Sequence, residues 1–197
     1  MGDDRLVDPL DALEAEAKDE VDREYVRAMR AYLRKHDREQ AAETTDADGN
    51  ALPRLDLSAA SPETDDPLLR VGYALLGHLP EGWLHANLMA SAAADDVRTT
   101  VMIKLEADGP LSFQYLLYLP DVAAACATLR RSMYTEDRGA WYNLAFLLRP
   151  NGAITTQVID LHPPFGVWGP DDAALLVRDH ELYPRPQERL PAWHPSR

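Results

Sequence analysis

Apolar side chains recur at spacings of three and four from Asp8 to about Ala42. Leu10, Leu13, Ala17, Val21, Tyr25, Ala28, Met29 and Tyr32 fall on one stripe. That period places them on one face of an α-helix, with charged residues opposite. Asp8 followed by Pro9 is a helix-start signal. The pattern predicts an acidic amphipathic helix over residues 1–42. A helix with a single apolar stripe needs a surface to lie on. That surface is its own body, or else a partner or a second copy, which would give a homodimer through the N-terminal helix.

The period disappears at residue 43. Residues 43–66 are polar and small, with Gly49, Pro53 and Pro62 among them, and read as a linker. Asp46, Asp48 and Asn50 resemble the start of a calcium loop. The twelfth position from Asp46 is Leu57, which has no carboxylate to give. A turn is the better expectation.

A second amphipathic stretch, Asp65 to His78, is closed by Pro80-Glu81-Gly82. Three strand-length runs follow, at Trp83–Ser91, Val97–Leu105 and Leu111–Leu119. In the second, Thr99, Val101 and Ile103 alternate with wetter positions. A helix is expected from Pro120 to about Met133, with Val122, Ala125, Cys126 and Leu129 inward. Two more strands, Trp141–Leu148 and Ile154–Leu161, flank an Asn151-Gly152 hairpin signal. Asp171–Glu181 reads as a short helix in a tail rich in Pro, aromatic residues and Arg. The predicted class is α+β: an antiparallel meander sheet of about five strands, helices packed on one face, plus a long N-terminal helix. The domain reading is helix 1–42, linker 43–66 and an α+β domain 67–197.

Composition narrows the function. The 197-residue chain has a net charge of −13. Residues 1–66 hold 19 acidic and 9 basic side chains, against 14 and 11 in residues 67–197. A field of that sign argues against nucleic acid and anionic membranes as partners. It suits solubility, or steering toward a basic protein. No apolar run is long enough to span a membrane, and the first thirty residues lack the apolar core of a secretory signal. The expected location is cytoplasmic. One cysteine, Cys126, leaves no disulfide framework.

Catalytic and cofactor templates are missing from the sequence: no phosphate-binding Gly-Lys loop, no dinucleotide glycine pattern, no His-Glu-x-x-His and no Gly-x-Ser-x-Gly. The six His are scattered, none paired at helical spacing for a metal. Asp160 and His162 could share a strand face, without a nucleophile in view. The expectation is no enzyme, no metal and no cofactor.

Order and spacing over residues 66–197 resemble YezG-type antitoxin and immunity proteins. The resemblance rests on a helix running into Leu79-Pro80-Glu81-Gly82-Trp83, a meander, and Leu129-Arg130-Arg131-Ser132-Met133. Gly139-Ala140-Trp141, Arg149-Pro150-Asn151-Gly152 and Pro163-Pro164 follow. It closes with Glu181-Leu182-Tyr183-Pro184-Arg185 and Leu190-Pro191-Ala192-Trp193. It implies a small, non-enzymatic α+β protein that neutralises a cognate toxin domain, often a nuclease; related immunity factors go with NAD-cleaving toxins. One stretch departs. The family's acidic-aromatic Phe-Asp-Tyr-Asp strand reads Val158-Ile159-Asp160-Leu161 here.

The leading expectation is therefore an immunity protein that occludes a toxin. On the body its contact residues would be Asp160, His162, Phe165, Trp168, Tyr183, Arg185 and Trp193. On the extension they would be Asp11, Glu14 and Asp22. The competing readings are a self-associating scaffold or binding module, and an enzyme with a loop-built site.

Overall fold

The computed structural model describes residues 43–58, 63–105, 113–165 and 170–197, with residues 26–32 and Ala15, Arg23, Lys35 and Glu39. Residues 26–32 are helical and Val26 is buried there. Most of the expected N-terminal helix, its apolar positions Leu10, Leu13, Ala17, Val21 and Tyr25 included, lies outside the described residues.

Helix α1 (Pro67–Leu76) begins where Asp66 accepts hydrogen bonds from the Leu68 and Leu69 amides, with Pro67 at the first helical position. The strands are β1 (Trp83–Ala93), β2 (Asp96–Leu105), β3 (Phe113–Leu117), β4 (Asn143–Leu148) and β5 (Ile154–Val158). Helix α2 (Pro120–Ser132) lies between β3 and β4, and α3 (Pro170–Leu182) follows β5. All five strands form one antiparallel sheet in the order β3-β2-β1-β4-β5. The fold is α+β.

The order corrects the simple meander. Strands β1 to β3 do form one, and β4–β5 is the expected hairpin. The chain leaves β3 at one edge, however, and α2 carries it over the sheet to set β4 beside β1. The central strand makes this passage close. Ala86, Ala90 and Ala92 point to the same side as Leu88, and their small size lets Val71 and Leu75 of α1 and Val122, Cys126 and Leu129 of α2 share their core.

The helices do not all share that face. Helix α3 packs at the end of β1, where Ala93, Tyr142 and Leu176 form a second, smaller core. On the sheet's other face stand Met89, Met102, Tyr115 and Leu117; Met89, Tyr115 and Leu117 are exposed. Among the described residues no helix is long and apolar enough to cross a membrane.

Residues 43–58, within the expected linker, are seated on the body. Asp46 accepts from the Asp48 and Asn50 amides to close the expected turn. Arg54 bridges to Ala153, and the Ile154 amide donates to the Pro53 carbonyl. Leu55 is buried beside Gly72, where a Cβ would lie 2.9 Å from a Leu55 methyl. Glu43 pairs with Arg149 and its carbonyl accepts from Asn151.

Candidate partner-binding site at the end of the sheet

Strand β5 stops at Val158, three residues short of the expected Leu161, because side chains displace the ladder. Asp160 accepts from the Tyr142 amide, and Asn143 Nδ2 donates to the carbonyls of Ile159 and His162. The chain therefore leaves the sheet as a pinned Asp160-Leu161-His162 segment. Leu161 is 82% exposed, the most open large apolar side chain described.

Beside this segment is a shallow cleft of about 160 Å³ lined by Met133, Arg138, Gly139, Trp141, Val158 and Asp160. Its walls come from three places: the end of α2, the loop before β4, and the exit of β5. Met133, Trp141 and Val158 make it apolar, with Arg138 and Asp160 as its charged lining.

The adjoining edge of β5 is partly covered. The Ile159 amide donates inward to Asn143, whereas the Ile154 amide donates outward to Pro53. Strand alternation then turns the backbone groups of Thr156 and Val158 outward. Further on, the Asp160 carbonyl accepts from Trp193 Nε1 at 3.0 Å.

Behind the cleft a buried polar knot locks α2, α3 and the tail. Arg130 Nη2 donates to Asp179 at 2.7 Å, and Arg130 Nε to the Trp141 carbonyl at 2.8 Å. Asp179 also accepts from the Ala94 amide, a residue held at a φ of 50°. Arg185 lies over the Tyr142 ring, 4.5 Å from its centroid, and donates to the Ala140 carbonyl. Trp193 meets Tyr142 edge-on at 4.9 Å. His194 is buried beside His180, and its Nδ1 accepts from the Ser196 amide. Burial holds the His194 ring below the usual imidazole range, helped by nearby His180 and Arg185. Burial likewise raises the Tyr142 hydroxyl and pushes the Cys126 thiol up to about 12, so Cys126 is protonated in the core at neutral pH.

The expected contact residues fall into distinct settings. Asp160 lines the cleft, and His162 is exposed beside Leu161. Phe165 lies under Arg98, 3.9 Å from guanidinium carbon to ring centroid, and packs half-buried against the second core. Tyr183 covers Arg130 and tilts against Tyr134. Arg185 and Trp193 are spent on intramolecular contacts that hold the tail. Trp168, Asp11, Glu14 and Asp22 lie outside the described residues. Among the described residues no three His, Cys, Asp or Glu side chains group as a metal site.

Comparison with models of protein families, with curated proteins and with solved structures finds no match to this chain.

Met133, Arg138, Val158 and Leu161 join the site without having been nominated from the sequence. Met133 reads there only as the end of a helix, and Val158 and Leu161 only as part of the departing strand. The side chains of Met133 and Val158 meet at the cleft only because α2 ends just where β5, an edge strand, runs out.

Proposed function

We propose that this protein is a non-catalytic binding protein of the antitoxin or immunity type. It neutralises a toxin domain, a nuclease or an NAD-cleaving enzyme, by covering its surface from the end of the sheet. The observation that carries this reading is Leu161. A large apolar side chain stands open to water on a backbone pinned on both sides by Asn143, Tyr142 and Trp193. A partner gains from an anchor whose ordering cost is already met by the fold. Asp160 and His162 flank it, and the cleft lined by Trp141 accepts a side chain in return. The order of sequence elements over residues 66–197 supports the same reading, with the strand departure at 158–161 implying a partner of its own.

The net charge of −13 steers approach to a basic toxin surface, where carboxylates stand in for a phosphate-bearing substrate. The test is co-expression with the product of the adjacent gene. The expected result is restored growth and co-purification, with binding weakened by salt. Leu161→Asp removes co-purification and leaves the melting temperature unchanged. No rescue and no complex with either neighbouring gene product overturns the reading.

A further inference from the structure

The opposite edge of the sheet has a different character. From Phe113 to Pro120 the chain reads Phe-Gln-Tyr-Leu-Leu-Tyr-Leu-Pro, eight residues without a charge in a protein at −13. Tyr115, Leu117 and Tyr118 are 48%, 71% and 72% exposed. Edge strands in monomers are guarded by lysines, prolines within the strand or bulges, because an open ladder pairs with whatever strand arrives. None of these interrupts β3. Among the described residues the guard is at its end, where Tyr118 takes a φ of 55° and turns the chain away.

The hydrogen bonds give the direction of the open groups. The Tyr118 amide donates inward to the Thr99 carbonyl. Alternation then turns the backbone groups of Phe113, Tyr115 and Leu117 outward. Those same residues pair with Lys104, Met102 and Thr100, so their side chains share the face not covered by α1 and α2.

This arrangement is self-complementary. We infer that β3 pairs antiparallel with β3 of a second copy about a two-fold axis at Tyr115, joining two five-stranded sheets into one. In that register Tyr115 faces Tyr115, Phe113 faces Leu117, and Gln114 faces Leu116. Each outward residue then meets an outward residue, as an antiparallel ladder requires. Facing aromatic and aliphatic pairs are favourable, and no like charges meet.

Charge selects the second copy over a basic protein partner, because this edge offers a cationic surface nothing to pair with. Area sets the strength. Tyr115 and Leu117 at these exposures bring roughly 200 Å² of apolar surface per copy. About 400 Å² for the pair is well below the ~1,200–2,000 Å² of stable complexes. The dimer is therefore weak and concentration-dependent. Two chains at −13 repel, so screening strengthens it.

The test is sedimentation equilibrium of the full chain from micromolar to near-millimolar concentration, at low and high salt. The expected result is a monomer–dimer equilibrium that tightens with salt. Tyr115→Lys, which sets two cations face to face, weakens it at least tenfold with an unchanged melting temperature. Tyr115→Cys gives a covalent dimer under mild oxidation, because facing Cα atoms in such a pair stand about 5.5 Å apart. The native chain does not, its one thiol being buried. A monomer throughout overturns the inference. So does a dimer untouched by Tyr115→Lys, which would place the contact elsewhere, the N-terminal helix included. Neither result bears on toxin binding at the other edge.

Discussion

Arg130 and Asp179 meet at 2.7 Å with side chains 1% and 0% exposed, 49 residues apart in sequence. Their ion pair ties α2 to α3 at the end of the sheet. The Ala94 amide and the Trp141 carbonyl bond to the same two side chains and bring both loops into register.

Removing one partner of such a pair strands the other in a dry site. Asp179→Ala is expected to cost about 3–5 kcal/mol. Replacing both together by apolar residues, Arg130→Met with Asp179→Leu, is expected to cost much less than Asp179→Ala alone. Chemical denaturation of the single and double variants checks this.

His194 gives stability a sign with pH. Its ring is depressed in the folded protein, by burial first and then by His180 and Arg185, while Asp179 pulls the other way. The unfolded chain therefore binds the proton more readily, so the contribution of His194 is complete above the ordinary imidazole value near 6.5. It declines as the pH falls below that value. Protonation would also cost the ring its acceptor role toward the Ser196 amide. The expected outcome is a melting temperature that drops between about pH 7 and pH 5, with His194→Gln showing a shallower slope.

Gly139 has a φ of 72°, and a Cβ there would run into the Arg185 guanidinium. Gly139→Ala is therefore expected to destabilise by at least ~1–3 kcal/mol from backbone strain alone. It should also loosen the tail, read as faster proteolysis after Arg185 or Arg189.

Leu55 tests whether the connector belongs to the fold. Its side chain is 2% exposed within the main core. Leu55→Ala is expected to cost about 2–5 kcal/mol, as for a residue of the sheet itself. A loss below about 0.5 kcal/mol would show that residues 43–58 merely rest on the surface.

The strands and body helices were legible because their signals are local: the alternation in 97–105, the Asn151-Gly152 turn, Pro120 at a helix start. Strand order was not. No local pattern shows that α2 crosses the sheet, and that crossing makes β3 an edge in place of β1. Without it, Leu117 reads as an ordinary strand residue, and Leu161 does so until Asn143 and Asp160 are seen to end β5 early. The nominated aromatic and Arg residues of the tail were recognisable as a group, but their packing depended on Asp179 and Tyr142, distant in sequence. Leu55 was hidden because Leu52, Leu55 and Leu57, set among a proline and charged residues, hold no sustained period.

The seat of Leu55 under Gly72 fixes where the chain can be cut. Any shortened version meant to isolate the body must start ahead of Glu43, since a cut at residue 67 would open the hole Leu55 fills and unclip the start of β5 from Pro53. Glu43, at the head of that connector, is moored to the hairpin tip through Arg149 and Asn151.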